Sequence, residues 1–345
     1  MTQFKWTVIG AGPAGIAALG RLLDHGIAPG EVAWIDPAFT AGDIGGKWRP
    51  VPSNTRVGLF LDYFNASPSF RFDEAPHFEL HDLDPEQTCL LGTVADPLLW
   101  VSQHLAERVT VLPTIATELS LHDRQWTVST ERGAITSTNV ILAVGSTPKK
   151  LVHPGLEEIA IEVALDPAQL EQQPLDGTTV AVFGSSHSAM IVLPNLLANP
   201  VAKVINFYRS PLEYAVYLKG WTLFDDIGLK GQAACWAREN IDGVLPERLE
   251  RCWVGGPEYQ ETLEKCDRVV YTVGFEPRHL PLTPQWGPLA YNVFNGILAP
   301  GLFGVGIAFP QYKTDPLGFG QYRVGLHKFM EQVNESLPLW LSYTP

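Results

Sequence analysis

The sequence predicts an α/β chain built from two copies of one nucleotide-binding architecture, the second inserted into the first. Three observations predict it. Residues 7–15 read TVIGAGPAG, with Gly10, Gly12 and Gly15 at G-x-G-x-x-G spacing. Residues 180–189 read VAVFGSSHSA, with Gly184, Ser186 and Ala189 at the same spacing. Further on, VILAVGSTP (140–148) aligns position for position with VVYTVGFEP (269–277). One such site suggests a dehydrogenase. Two, each closed by its own second motif, suggest a flavin fed by a nicotinamide.

The first copy is the more complete. Phe4 to Ile9 is a short apolar run rich in β-formers and reads as a buried strand. The glycine turn follows at once. From Pro13 to His25 the residues Ile16, Ala17, Leu19, Leu22 and Leu23 recur at helical spacing, with Pro13 suited to an early helix position and Gly26 closing the helix. A second strand, Glu31 to Ile35, ends in Asp36, followed by Pro37. Each part has a chemical reason. Gly10 permits the tight turn, Gly12 lets a pyrophosphate approach the backbone, and Gly15 lets the helix pack close to the strand. The helix start, Pro13 and Ala14, faces the phosphates, and Asp36 accepts hydrogen bonds from a ribose diol. Strand, glycines, helix, strand and acid in this order predict a Rossmann-like dinucleotide-binding fold.

Gly45-Gly46-Lys47-Trp48 comes a few residues after Asp36, and Pro52-Ser53-Asn54-Thr55 follows. Here the chain resembles the flavin-dependent monooxygenases, a group of flavin-containing monooxygenases, N-hydroxylases and Baeyer–Villiger enzymes. These carry G-G-x-W after the acid that binds the FAD ribose, and flavin-containing monooxygenases then carry an Asn-Thr segment. The resemblance implies that FAD occupies the first site. Gly45 and Gly46 would pass close to its phosphates and flavin, with Trp48 packed nearby. Asn54 would lie beside the isoalloxazine and hydrogen-bond a reduced or peroxidised flavin. Core or lid packing is the alternative for Trp48, and a turn role the alternative for Asn54.

In the second copy, Thr178 to Phe183 is again a buried strand, and Gly184-Ser185-Ser186-His187-Ser188-Ala189 opens the next helix. Related enzymes have G-x-G-x-S-G or G-x-G-x-S-A here. Ser186 replaces the middle glycine, and its side chain either crowds a pyrophosphate or binds it. The strand Lys203 to Tyr208 ends in Arg209-Ser210. An acid there favours a free ribose 2′-hydroxyl. An arginine favours a 2′-phosphate through charge-assisted contacts, which predicts NADPH over NADH. A solvated strand-end charge is the alternative for Arg209. His187 reads as a loop residue at the helix start rather than a base. The remaining histidines lack metal-ligand spacing, and no metal is expected.

The AVGSTP and TVGFEP segments resemble the A-T-G motifs of the same enzymes, each a strand running into a turn where the chain passes between domains. Gly145 and Gly274 permit the turns, and Pro148 and Pro277 stop the strands. This predicts an FAD domain over 1–148, an NAD(P)H domain over 149–277 and a closing part of the FAD domain over 278–345. In GLFGVGIAFP (301–310), disulfide-reductase relatives carry Gly-Asp, whereas Gly306-Ile307 followed by Ala308-Phe309-Pro310 fits the monooxygenase pattern. A helix is expected from about Gln321 to Asn334, with Gly320 and Gln321 facing the flavin pyrimidine end, where negative charge builds on reduction. The F-x-G-x-x-x-H-x-x-x-Y signature of flavin-containing monooxygenases is absent: the stretch reads LVHPGLEEIAIEVAL. Residues 211–265 are rich in aromatic and charged side chains and read as lining a pocket or a partner surface.

Composition bounds the rest. A chain of 345 residues permits two domains of ordinary size or three small ones. No apolar run reaches the ~18 residues that a membrane helix needs, and no signal peptide or lipidation signal is expected. The net charge of −13 argues against nucleic acid or an anionic membrane as the main partner. Cys89, Cys235, Cys252 and Cys266 form no C-x-x-C, which removes the simplest dithiol-reductase reading. They read as reduced, mostly buried thiols of a cytoplasmic protein.

The resemblance implies an NADPH-reduced flavoprotein monooxygenase that forms a C4a-(hydro)peroxyflavin and oxygenates a small N-, S- or carbonyl-containing substrate with O2. Two other readings stay open. One is a dithiol-independent NAD(P)H:acceptor reductase or oxidase, whose acidic surface would suit a basic protein electron acceptor. The other is a flavin-binding sensor or interaction protein whose second site has decayed.

Overall fold

The computed structural model describes residues 2–345. The chain begins with β1 (Gln3–Ile9), α1 (Pro13–Asp24), β2 (Val32–Ile35), α2 (Gly42–Gly46), β3 (Pro52–Arg56), α3 (Val57–Asn65), β4 (Thr88–Leu90) and α4 (Leu91–Ala106). It continues through β5 (Thr110–Leu112), β6 (Ala116–His122), β7 (Gln125–Thr130), β8 (Gly133–Leu142) and β9 (Ser146–Pro148). Next come β10 (Glu157–Glu158), α5 (Ile161–Ala164), α6 (Pro167–Leu170), β11 (Thr179–Phe183), α7 (His187–Leu197), β12 (Lys203–Tyr208), β13 (Val216–Leu218) and β14 (Trp221–Leu223). Then follow α8 (Gly231–Asn240), β15 (Leu249–Trp253), α9 (Tyr259–Leu263), β16 (Arg268–Tyr271) and β17 (Phe275–Pro277). The last elements are β18 (Ile297–Ala299), β19 (Leu302–Gly304), β20 (Gln311–Thr314), β21 (Gly320–Arg323) and α10 (Leu326–Ser342).

Two sheets organise these elements. The larger runs β18-β19-β8-β1-β2-β5, with β7 and β6 continuing from β8, and β19, β8, β1, β2 and β5 are parallel. The smaller runs β10-β16-β11-β12-β15 and is parallel throughout. The smaller sheet is drawn wholly from the chain between β9 and β17. The larger takes strands from both sides of that stretch.

Central parallel strands are covered on both faces, so they carry near-continuous apolar runs. Val32, Ala33, Trp34 and Ile35 are all buried, as are Val180 to Phe183. Helix α1 is buried along most of its length because it lies between the sheet and α10. Phe303 of β19 stacks between Trp6 of β1 and Trp340 of α10, with ring centroids 5.8 and 5.0 Å apart. The last part of the chain is therefore built into the first core. Removing a buried ring of this kind typically costs about 3–5 kcal/mol.

The pairing of β9 with β17 is antiparallel, Phe275 opposite Pro148 and Pro277 opposite Ser146. The two A-T-G-like segments thus lie side by side. Gly145 and Gly274 have φ of +75° and +94°, and nothing crowds a Cβ at either, so conformation alone calls for glycine.

One expected element is displaced. The helix foreseen from Gln321 begins only at Leu326, and Gln321 sits in β21 of a hairpin with β20. Asp315 builds the turn of that hairpin by accepting the Leu317 and Phe319 amides at 2.9 and 3.0 Å. Gly325, with φ +149°, separates strand from helix. Gln321 is buried, and its side-chain oxygen accepts the Asp226 amide at 2.9 Å. It is a structural link to the 225–230 segment rather than a helix-start residue.

Candidate functional site

The two glycine turns match bond for bond. The Gly10 amide donates to the Ile35 carbonyl (2.7 Å) and the Ala143 amide to the Ile9 carbonyl (2.8 Å). In the second copy the Gly184 amide donates to Phe207 (2.9 Å) and the Thr272 amide to Phe183 (2.8 Å). Gly10 has φ +111°, and a Cβ on it would lie 2.2 Å from the Ala143 carbonyl oxygen. Gly184 has φ +116°, and its Cβ would lie 2.4 Å from the Thr272 carbonyl oxygen. A Cβ on Gly15 would meet the Gly10 carbonyl oxygen at 2.0 Å. These glycines serve the protein's own packing.

Gly12 differs, because a Cβ there meets only the Gly42 Cα, at 3.7 Å. No side chain caps α1, which leaves its first amides, those of Ala14 and Gly15, facing the open side of the turn. A cradle that tolerates a Cβ sterically but keeps bare backbone fits a phosphate approaching at Gly12. The Pro13 carbonyl accepts from the Tyr63 hydroxyl at 2.7 Å, which ties the turn to α3.

Asp36 braces this turn. One carboxylate oxygen accepts the Ala11 amide at 2.8 Å, and the other accepts the Ala38 and Phe39 amides at 2.9 and 2.8 Å. A carboxylate offers about four lone-pair positions, so acceptor capacity remains for a ribose. Pro37 is exposed beside it.

The glycines that follow have separate reasons. Gly42, which sequence reasoning passed over, has φ +65°, and a Cβ on it would lie 2.9 Å from the Gly12 Cα. This glycine–glycine contact lays α2 against the turn. A Cβ on Gly45 would lie 2.0 Å from the Thr40 carbonyl oxygen, whereas Gly46 is open. Lys47 pairs with Glu162 at 3.5 Å, and Trp48 meets Phe275 edge-on at 6.2 Å. This contact joins the glycine segment to the β9–β17 ribbon. Asn54 is exposed on β3, and its side-chain oxygen accepts from the Thr55 hydroxyl at 3.2 Å.

In the second copy Ser186 is exposed, stands at the start of α7 and caps no amide. Its side chain crowds nothing in the protein. Ser185 donates to the Ser210 carbonyl (3.3 Å), Ser188 is half-buried and Ala189 is buried. The brace also changes. Trp34 donates to the Gly10 carbonyl at 2.9 Å, and its counterpart Asn206 donates to the Gly184 carbonyl at 2.7 Å.

Strand register places Arg209 relative to the first copy. Ile35 corresponds to Phe207, so Asp36 corresponds to Tyr208, and Arg209 stands one residue further on, with an exposed side chain. A second cation occupies this place, and sequence reasoning missed it. Arg251 of β15 lies over the Tyr208 ring at 4.1 Å and donates to the Asn206 side-chain oxygen at 3.2 Å. One of its terminal nitrogens is buried without a partner. Only the parallel pairing of β12 with β15, Asn206 opposite Arg251, brings it there.

The second turn rests on β3, while the first is tied through Tyr63 to α3, the helix that follows β3. His187, first residue of α7, lies 3.5 Å from the Pro52 carbonyl, two residues before Asn54. Burial, opposed by the bond to Pro52 and reinforced by Lys230, pushes this histidine down to about 4. It is neutral at ordinary pH, and its other ring nitrogen is buried without a partner. Arg278, just past β17, donates to Asp43 of α2 at 2.6 Å and to the Ser146 carbonyl at 3.2 Å. Gly306 closes the arrangement, since a Cβ on it would meet the Ala14 Cβ at 2.6 Å, and Ile307 packs on the first core.

A cavity of about 540 Å³ lies between three parts of the chain. Arg56 and Leu59 line it from the β3–α3 junction, Tyr217 and Trp221 from the β13–β14 hairpin, and Pro316 and His327 from the closing segment. Residues 211–265 thus do line a pocket. Its wall is held by buried ions. Lys328, 3% exposed, pairs with Asp225 and Asp226 at 2.5 and 2.7 Å, and Lys230 pairs with Asp225 at 2.5 Å. Burial pushes Asp225 up, but Lys328 and Lys230 outweigh it and hold the carboxyl at about 2. Burial and Lys328 push His327 down to about 3.

Among the described residues, no group of three His, Cys, Asp or Glu side chains is placed to hold a metal, and no helix is long and apolar enough to cross a membrane. The four cysteines are free. Only Cys252 and Cys266 are buried, while Cys89 is half-buried and Cys235 exposed, fewer than expected.

Two sheets with parallel centres, each sending a central strand through a glycine turn into a helix, define an oxidoreductase fold of two dinucleotide-binding units. The chain belongs to the pyridine nucleotide-disulphide oxidoreductase family, which residues 4–193 match. It is 34% identical to monooxygenase AgnR1 of Paecilomyces divaricatus, over 97% of each chain. Its fold is similar to that of a flavin-containing monooxygenase from Stenotrophomonas maltophilia, with 17% identity, 99% of each chain covered and a TM-score of 0.66. It is also similar to thioredoxin reductase of Lactococcus lactis, with 14% identity, coverage of 99% and 98%, and a TM-score of 0.59.

Proposed function

We propose that this chain is an FAD-dependent, NADPH-reduced monooxygenase acting on a small molecule with O2. FAD binds the first turn and NADPH the second, in units divided near residues 148 and 277. The observation that carries this reading is the pair of glycine turns, the second resting on Pro52 two residues before Asn54 and the first tied to α3, which follows directly. The 34% identity to a monooxygenase along 97% of both chains favours oxygenation over electron transfer to a protein. The lack of a C-x-x-C pair agrees with it.

With both cofactors bound, a hydride from NADPH, a proton from solvent and one O2 would leave one oxygen atom on the substrate and the other in water. The protein's part is placement. Asp36 and the bare amides at the start of α1 hold the first dinucleotide. Gly184, the start of α7, Arg209 and Arg251 hold the second, the two guanidiniums meeting the 2′-phosphate. Asn54 offers an amide to the reacting end of the flavin, and the cavity beside Arg56 receives the substrate. The free thiols fit a reducing compartment, the cytoplasm.

The test is rapid mixing of the NADPH-reduced holoenzyme with O2 while the flavin spectrum is followed. An absorption band belonging to neither reduced nor oxidised flavin, together with ¹⁸O from ¹⁸O2 in the product of a test sulfide, is the expected result. Direct return to oxidised flavin with hydrogen peroxide and no product overturns the reading. Asn54→Ala should leave FAD content unchanged and shorten the life of that band. An unchanged lifetime removes Asn54 from this role.

A further inference from the structure

The cavity beside Arg56 has a charged interior and an apolar mouth. Apart from Asp315, its charges are paired within the protein. Asp225 and Asp226 pair with Lys230 and Lys328, Arg323 with Glu331, Lys313 with Glu335, and Arg56 with Glu86. Asp315 accepts two amides of its own turn through one carboxylate oxygen, and its other oxygen, though without a partner, is buried and shut off from a ligand. A charged ligand group would have to break one of these pairs or enter without a counter-ion, and burying an unpaired charge is costly.

The mouth is made by two hairpins. Tyr217 and Leu218 of β13 line the cavity on one side and are 55% and 44% exposed. On the other side Pro316 lines it, and the adjoining Leu317 and Phe319 are 63% and 49% exposed. Phe319 meets Phe224, the residue after β14, edge-on at 5.4 Å, which joins the two hairpins. Side chains of this size on one rim mark a binding surface rather than scattered exposure. The rim surrounds an opening between structural units, where small-molecule sites commonly occur, and a volume of about 540 Å³ is within their usual range.

We propose that the substrate is an uncharged amphiphile. Its neutral polar head enters the cavity, and its apolar body lies between the β13–β14 and β20–β21 hairpins. This rests on the monooxygenase reading for the reaction but not for the binding. Arg56 fits the arrangement: its guanidinium lies 5.3 Å from the centre of the Tyr217 ring, which fixes the rim tyrosine to the β3 end that carries Asn54.

The experiment uses the FAD- and NADP⁺-loaded enzyme with methyl aryl sulfides bearing para-alkyl chains from hydrogen to hexyl. The acid 4-(methylthio)benzoate serves as the charged member. Dissociation constants come from equilibrium dialysis and sulfoxide yields from turnover with NADPH. The dissociation constant should fall about two- to fourfold per added methylene over the first few carbons, as partial to full burial of each group requires. The benzoate should bind at least about tenfold more weakly than the neutral sulfide of equal size. Tyr217→Ser and Phe319→Ser, both at exposed positions, should flatten the chain-length series. Val244→Ser, also exposed but outside the rim, should leave it unchanged.

A dissociation constant independent of chain length, or a benzoate that binds as well as the neutral members, overturns the proposal. Chain-length-dependent binding without sulfoxide from any member supports the cavity's preference and defeats the monooxygenase reading instead.

Discussion

The two nucleotide turns share a backbone and differ in what braces them. In the first, an acid gathers three amides, so the turn is held in shape by a charge. In the second no acid stands at that register. Asn206 holds the Gly184 carbonyl, and Arg251 holds Asn206. The sign of the charge at the brace is thereby reversed without changing the path of the chain.

The largest expected effect separates the turns completely. Gly10→Ala and Gly184→Ala each place a Cβ within 2.4 Å of a carbonyl oxygen at strongly positive φ. Each should cost at least about 3 kcal/mol locally. Gly10→Ala should yield protein without flavin. Gly184→Ala should retain flavin, measured by absorbance, but resist reduction by NADPH. Loss of flavin in both would show that the turns are not independent.

The braces come next. Asp36→Ala frees three amides, and hydrogen bonds to a charged acceptor contribute about 1.5–3 kcal/mol each. A fall in thermal stability of the apoprotein, beyond any loss of FAD affinity, is expected in a melting experiment. Arg251→Met should raise the KM for NADPH about tenfold and leave that for NADH nearly unchanged, whereas Arg251→Lys should not restore it, because a lysine neither stacks on Tyr208 nor reaches Asn206 in the same way. An equal rise for both nucleotides would make Arg251 a structural brace only.

A pH series sharpens the comparison where the turns meet. His187 is held at about 4 in the folded chain, below its ordinary 6.5. The unfolded chain therefore binds the proton first, and folded stability falls as pH drops from about 6.5 towards 4. A shift of this size corresponds to about 3 kcal/mol. Denaturant melts of His187→Gln should show a shallower loss across that window than the parent. Asp225 adds a later loss, between about 4 and 2, as its pairs with the two lysines are protonated apart.

Ser186→Gly is the smallest change. Ser186 is exposed and caps nothing, so the substitution should alter stability by only a few tenths of a kcal/mol. A KM for NADPH that changes by less than about twofold is expected. A large improvement would mean that the serine does crowd the pyrophosphate.

Much of this arrangement was legible in the sequence because it is local. Gly10, Gly12, Gly15 and Asp36 are read within one strand–helix–strand unit, and the second motifs repeat the same lettering. What escaped is what distance in the chain conceals. Arg251 reaches Tyr208 only through strand pairing. Gly42 looks like a loop residue until the Gly12 Cα is found against it. The helix expected from about Gln321 starts later because the turn at Asp315 folds residues 311–323 into a hairpin and Gly325, at positive φ, separates it from the helix.

The pairing of Pro148 with Phe275 has a mechanical and evolutionary reach. The chain leaves for the second sheet and returns from it at one place, so two covalent crossings act as a single joint with one short axle. Rotation about that axle needs no unthreading. The stretch between can also be lifted out as a cassette whose ends already meet, to be exchanged for another of the same kind or closed over by a few residues.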